Sequence, residues 1–286
     1  GFSGVGQQML KKYWILGTIV FFCLIGFNGF APLVAQEPLS TPVSPPLTAE
    51  ELTYIQNNPV IRVHVEKEWP PYNFIENNTV KGFSNDYIQL IANKVGLKIE
   101  FVTGYTWHEF MKLLAEGKID VVTNMVITEE RQKFTLFSEK PLFRVVQALL
   151  LKRDHEQFSN LNQLKGKNLA VVRGYYFEEV LKKYYPDINL LLTNSTLDAI
   201  KQVEAEKADA ALESHAVFNY YISQYLLTGL VSKPVMDESI FSNVAEQYLG
   251  IRKDRPILKS ILDKGMIAIS EKELTDLSQR WYLLAR

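Results

Sequence analysis

The chain has 286 residues, 47% hydrophobic and 12% aromatic, which supplies the core of one large domain or two lobes and excludes a disordered chain. Its formal net charge of −1 gives no electrostatic basis for a nucleic-acid partner. The single cysteine, Cys23, excludes intramolecular disulfides and cysteine-based zinc sites, and His64, His108, His155 and His215 have no metal-ligand spacing, so neither a metal nor another cofactor is expected.

In chain order, Lys11 and Lys12 precede an uncharged stretch from Tyr13 to Ala35. Its most apolar part, Trp14 to Phe27, has the length of a signal-peptide core, and Leu33-Val34-Ala35 offers a cleavage site before Gln36. Residues 1–35 are therefore read as upstream residues plus an export signal, which places the remainder in the periplasm or another extracytoplasmic space. The alternative is a retained membrane anchor, because the uncharged stretch is long enough to span a bilayer. No other segment is expected to meet a membrane. Residues 36–50 are read as a linker, stiffened by four prolines in QEPLSTPVSPPLT. Thr48 followed by Glu51 has capping-box spacing and opens a short helix.

From Pro59 onward, short β-branched runs alternate with amphipathic stretches. Strands are predicted at VIRVHV (60–65), KIEFVT (98–103), IDVVTNM (119–125), NLAVVR (168–173), INLLLT (188–193) and ADAALE (208–213). Helical periodicity marks DYIQLIANKVG, WHEFMKLLAEGK, FEEVLKKYY and LDAIKQVEAEK. This alternation predicts an α/β fold with parallel sheets wound by right-handed crossovers. The pattern occurs twice. Two long apolar segments, VVQALLLKR (145–153) and EQYLGIRKD (246–254), separate the repeats and read as strands passing between lobes. The expected architecture is a two-lobed clamp over residues 51–286, with one lobe at about 51–147 and 249–286 and the other at about 148–248. The ligand site of such a clamp lies in the cleft.

One residue is out of place electrostatically. In TNMVITEERQKF, Arg131 falls in the first turn of a predicted helix, where the positive end of the dipole repels it. It therefore calls for an anionic partner, either a carboxylate of the protein or one arriving from solution. Glu129 and Glu130 are poor candidates, because adjacent helical residues do not face each other.

NPVIRVHVEKEWPPYNFIE, KGFSNDYIQLIANKVGL, GKIDVVTNMVITEER, LKGKNLAVVRGYYFEEVL and EKADAALESHAV resemble successive blocks of the family-3 extracytoplasmic solute-binding proteins, over about Leu52 to Trp281. LTAEELTYIQNNPVIRV and YLGIRKDRPILKSILDKGMIAIS are similar to the sensor version of that family, the Venus-flytrap domains of membrane histidine kinases and diguanylate cyclases. The resemblance implies a type II periplasmic-binding fold and gives each motif a role. Arg131 would clamp a ligand α-carboxylate through its guanidinium fork, with the helix start capped by Thr128 sharing the anion. Asn124 and Val126 stand at strand-end positions that hydrogen-bond the ligand, Asn124 through its side chain and Val126 through backbone alone. Trp69, held by Pro70 and Pro71, would stack on the ligand. Tyr72 and Trp107 would be either further walls or ordinary core. Gly174 would let the backbone approach the ligand, and Tyr175 and Tyr176 would narrow the cleft, unless Tyr176 packs beneath the following helix. Where amino-acid binders carry the aspartate that receives the α-ammonium, this sequence has Ser214, and strand alternation turns Glu213 to the other face unless a bulge intervenes. A neutral serine cannot balance a buried ammonium. This speaks against a classical α-amino acid, and a carboxylate without an amine, or an amine read by neutral groups, fits equally well.

The expected function is extracytoplasmic binding of a small carboxylate-bearing solute as the input of a membrane signalling domain. The alternative is the soluble binding component of an ABC importer, with a permease as partner. An enzyme resembling the cyclohexadienyl dehydratases is a remote third reading, opposed by the lack of a nucleophile–base set.

Overall fold

The computed structural model describes residues 45–281 apart from Glu156, residues 237–241 and Asn243. The chain divides into Gly1–Ser40 and Thr41–Arg286, and every described residue lies in the second unit. The expected signal and most of the linker fall outside the described residues.

Helix α1 (Ala49–Asn57) begins with the expected capping box: Thr48 Oγ1 accepts from Glu51 N at 3.1 Å and the Glu51 carboxylate accepts from Thr48 N at 3.3 Å. The first lobe then builds on β1 (Val60–His64). Three short strands, β2 (Glu68–Trp69), β3 (Asn73–Glu76) and β4 (Thr79–Lys81), make a small antiparallel sheet that the sequence periodicity did not announce. They are too short to show alternation, and Pro70 and Pro71 interrupt them. Next come α2 (Phe83–Val95), β5 (Lys98–Val102), α3 (Trp107–Ala115), β6 (Val121–Met125), the single turn α4 (Glu129–Gln132) and β7 (Thr135–Phe137). Strand β1 lies between β5 and β6 and is parallel to both.

Strand β8 (Phe143–Lys152) leads into the second lobe, which comprises β9 (Asn168–Val172), α5 (Tyr176–Tyr184), β10 (Asn189–Thr193), α6 (Thr196–Glu204), β11 (Ala210–Ser214), α7 (His215–Gln224) and β12 (Leu230–Pro234). Strands β10 and β11 both pair with β9 in parallel. Strand β13 (Val244–Arg252) returns to the first lobe, followed by α8 (Pro256–Ile267) and α9 (Glu271–Arg280). Helix α7 escaped the sequence reading because HAVFNYYISQ is aromatic around much of its circumference and shows little amphipathic contrast.

The strand order is β10-β9-β11-β8-β13-β6-β1-β5, so one sheet path runs through both lobes. Its middle is the two predicted crossing strands. Residues 143–146 of β8 pair antiparallel with β13, and residues 147–152 pair with β11 and β12. Beyond Gln247, β13 turns to β6 and β7. Helices α8 and α9 pack against α2 in the first lobe. Lys264 of α8 meets Glu51 of α1 at 2.9 Å and also donates to Pro46 O at 3.0 Å. At the other face of α2, Asp86 accepts from Arg280 at 3.1 Å and from Trp281 Nε1 at 2.9 Å.

Gly82 joins the small sheet to α2 with φ at 122°, and a Cβ there would collide with the Tyr72 backbone. Gly82→Ala is expected to cost at least about 2 kcal/mol through backbone strain and overpacking. Urea denaturation measures this, and a loss below ~0.5 kcal/mol would contradict the tight approach.

Candidate ligand site

Arg131 sits on α4, whose start is capped by Thr128, with Thr128 Oγ1 accepting from Arg131 N at 3.2 Å. The side chain is buried, its guanidinium 5.6 Å from the centroid of the Trp107 ring. Nη1 donates to Val126 O at 3.0 Å, and Nη2 crosses the cleft to donate to Gly174 O at 2.9 Å. The protein carboxylate that faces it is Glu179 of α5, 3.4 Å from Nε. Glu129 and Glu130 turn instead to Lys183 and Lys133. Burial pulls the guanidinium pKa down, opposed by the Glu179 charge. A guanidinium has five N–H donors. Two carbonyls and Glu179 account for three, and the side chain still lines a cavity between the lobes.

That cavity holds about 30 Å³ of free space, room for one or two waters. The structure brings Arg131, Trp69, Trp107, Asn124, Val126, Tyr175 and Tyr176 together around it. Trp69 is buried and tilted against Tyr72, with 4.6 Å between ring centroids. Trp107 Nε1 donates to Gly174 O at 2.9 Å, from one lobe to the other. Trp107 and Tyr175 also form a wall of a wider groove of about 880 Å³.

The other expected site residues lie outside the lining. Thr128 acts as the helix cap. Tyr72 stacks on Phe143 at 4.8 Å and belongs to the core. Burial pushes its phenol up to about 12, with the Ser214 hydroxyl beside it. Gly174 has φ at 79°, and a Cβ there would crowd His108, so the backbone approach it permits is to Trp107 and Arg131 of the facing lobe. Asn124 differs from expectation too. Its Oδ1 accepts from Asn73 and Thr123, and its Nδ2 donates to Glu66 at 2.8 Å, so most of its amide is spent within the protein.

The main correction concerns the end of β11. Glu213 lines the cavity and Ser214 does not. Alternation does separate the two side chains, but the face that meets the cavity at the strand end is that of Glu213. Its carboxylate lies under the start of α6, accepting from Thr196 Oγ1 at 3.1 Å and from Ser214 N at 2.7 Å. Trp69 Nε1 faces it without completing a hydrogen bond. Burial raises the Glu213 carboxyl to about 7, with the Ser214 and Trp69 N–H groups opposing that rise and the Glu66 charge adding to it.

Sequence reasoning also missed Val145, Gln147, Phe177 and Gln247, which complete the lining. Gln147 and Gln247 are polar residues inside apolar crossing segments, a signal that could have marked them. Glu66 is buried outside the lining and takes Tyr175 Oη on Oε1 at 3.0 Å and Asn124 on Oε2. Burial pushes the Tyr175 phenol well up, and the Glu66 charge adds to it. Among the described residues no cluster could hold a metal ion, and no helix is long and apolar enough to cross a membrane.

The sequence profile of the bacterial extracellular solute-binding proteins, family 3, matches residues 61–284. The chain belongs to that family. This family-3 domain is 25% identical over 238 residues to the virulence sensor protein BvgS of Bordetella pertussis, a match covering 83% of the chain and 19% of BvgS. It therefore spans about a fifth of the length of such curated relatives. It is 25% identical over 223 residues to the arginine-binding extracellular protein ArtP of Bacillus subtilis, covering 75% of the chain and 83% of ArtP. Among solved structures, the periplasmic VFT2 domain of Bordetella pertussis BvgS superposes with a TM-score of 0.72 at 25% identity, over 83% of this chain and 99% of that one. An ancestral arginine-binding protein bound to arginine gives a TM-score of 0.70 at 28% identity, over 78% and 98%. The two-lobed Venus-flytrap architecture of this family-3 domain is thus shared with sensor domains and with amino-acid-binding proteins.

Proposed function

We propose that this domain binds a small amino-acid-like solute outside the cytoplasm and serves as the sensory input of a membrane signalling protein. One observation carries the ligand class. A buried cation from the first lobe, Arg131, and a buried acid from the second, Glu213, line the same aromatic-walled cavity. A ligand carboxylate matches the remaining N–H donors of Arg131, and an ammonium supplies the charge that Glu213 lacks inside the protein. Each lobe contributes one of the two charges, so a zwitterion bridges them and shifts the clamp toward closure. The amine-free carboxylate that Ser214 had left open is disfavoured once Glu213 occupies the cavity wall.

The sensory reading rests on the similarity to BvgS. The match over most of ArtP supports a second reading, a free binding protein that hands its solute to an importer. Neighbouring genes and the continuation of the reading frame separate the two: signalling domains support the first, and permease and ATPase genes the second. Binding without turnover is the expectation in either case.

A thermal-shift screen over amino acids, keto acids, aromatic acids and polyamines tests the ligand class. A ligand at a hundred times its Kd stabilises by about 2.7 kcal/mol. Amino acids are expected to raise Tm. A response to polyamines with none to any carboxylate would overturn the reading.

A further inference from the structure

Among the described residues, six buried side-chain polar atoms lack a hydrogen-bond partner. Two of them, Trp69 Nε1 and Gln147 Oε1, belong to residues that line the cavity. Gln147 is 1% exposed, so its amide oxygen has lost water without gaining a protein donor. An orphaned buried acceptor destabilises a fold, and an apolar side chain of the same shape would not.

The backbone offers no structural reason for an amide here. On β8, Val145 two residues before Gln147 and Ala148 directly after it are buried and apolar, while Val146 between them is exposed. The Gln147 carbonyl is already satisfied by Val235 N at 3.0 Å. Position 147 is also where β8 leaves β13 and begins to pair with β11, with Gln147 opposite Ser214. It therefore stands at the junction of the two lobes, next to the strand end that carries Glu213.

We infer that Gln147 reads the nitrogen-bearing end of the ligand, its amide oxygen accepting one N–H while the Glu213 carboxylate accepts another, so that the ligand carries a primary ammonium or an amidinium. This rests on the zwitterion reading and narrows it. A deaminated acid leaves both acceptors without a donor. A trimethylated amine keeps its charge but has no N–H to give, although the rings of Trp69, Trp107, Tyr175 and Tyr176 would suit it as a cation–π cage. A requirement for an N–H donor thus separates two ligand classes that the charges alone leave together.

The test uses Gln147→Met, which keeps the volume and removes the amide, and Gln147→Asn, which withdraws it by one methylene. Without added solute, Gln147→Met is expected to raise Tm by about 2–4 °C, because the orphaned acceptor is gone. In calorimetry with the amino acid that most stabilises the parent, both variants are expected to lose at least tenfold in affinity. The parent should bind the corresponding 2-hydroxy acid and the N,N,N-trimethyl derivative at least tenfold more weakly than the amino acid. A fall in Tm for Gln147→Met would mean that the amide has a structural role, and would overturn the inference. Parent affinity equal for the amino acid and its trimethyl derivative would do the same while leaving the carboxylate site intact. If none of the twenty L-amino acids nor their 2-hydroxy analogues stabilises the parent, the zwitterion reading fails and this inference fails with it.

Discussion

Arg131→Ala is expected to weaken binding of a carboxylate ligand by about 2–5 kcal/mol, the range for removing one partner of a buried hydrogen-bonded charge pair. The substitution removes more than the ligand contact. Val126 O loses its Arg131 donor, Gly174 O keeps only Trp107 Nε1, and Glu179 loses the only cation placed against it by an ion pair among the described residues. Arg131→Lys is expected to recover little. A single ammonium cannot hold two carbonyls on opposite lobes and still present a planar edge to a carboxylate. Calorimetry on folded variants measures both effects, and unchanged affinity in Arg131→Ala would remove Arg131 from the site.

The second large effect is on pH dependence, and its source is Glu213. Its carboxyl has an ordinary value of 4.5 and stands at about 7 in the folded protein, chiefly through burial. Between those values the folded state holds a proton that the unfolded state has released. The stabilisation is therefore fully present below about pH 4.5 and is lost as pH rises toward 7. At about 1.4 kcal/mol per pH unit the window spans roughly 3 kcal/mol. Glu213→Gln is expected to remove this slope and leave the protein more stable than the parent above pH 7.5, while losing affinity for amine-bearing ligands. For the parent, affinity for such a ligand is expected to fall about tenfold per unit below pH 7, because the carboxyl must give up its proton to the solvent before it can balance an ammonium. Urea denaturation from pH 4.5 to 8, with binding measured across the same range, checks both. Identical stability profiles for parent and variant would contradict the burial of an ionisable Glu213.

The fold was legible because its signals are long and repeated. Hydrophobic periodicity located β1, β5, β6, β9, β10 and β11 to within two residues, and the two apolar crossing segments marked β8 and β13. What stayed hidden was short or uniform: the strands β2 to β4, the edge strand β12 and the aromatic helix α7. The residues that line the candidate cavity were legible in part. Arg131 and Trp69 stand out through a charge in the wrong half of a helix and a ring behind two prolines. Glu213 did not, because the reading assigned the cavity to the face of Ser214, and a one-residue difference at a strand end reverses that choice. Asn124, Glu66 and Tyr175 form a network whose members are far apart in sequence, so nothing local could show that their hydrogen bonds are spent on one another.

The packing of α1 against α8, through Glu51 and Lys264, and of α9 against α2, through Asp86, has a mechanical consequence. Residues near 46 and near 281 are both held to the first lobe, so relative to that lobe the second would act as a lever carried on β8 and β13. Labels placed near those two positions would keep a constant separation through any swing of the lever. A label pair reporting the swing needs one member on the second lobe, for instance at the exposed Tyr184, and the other on α1.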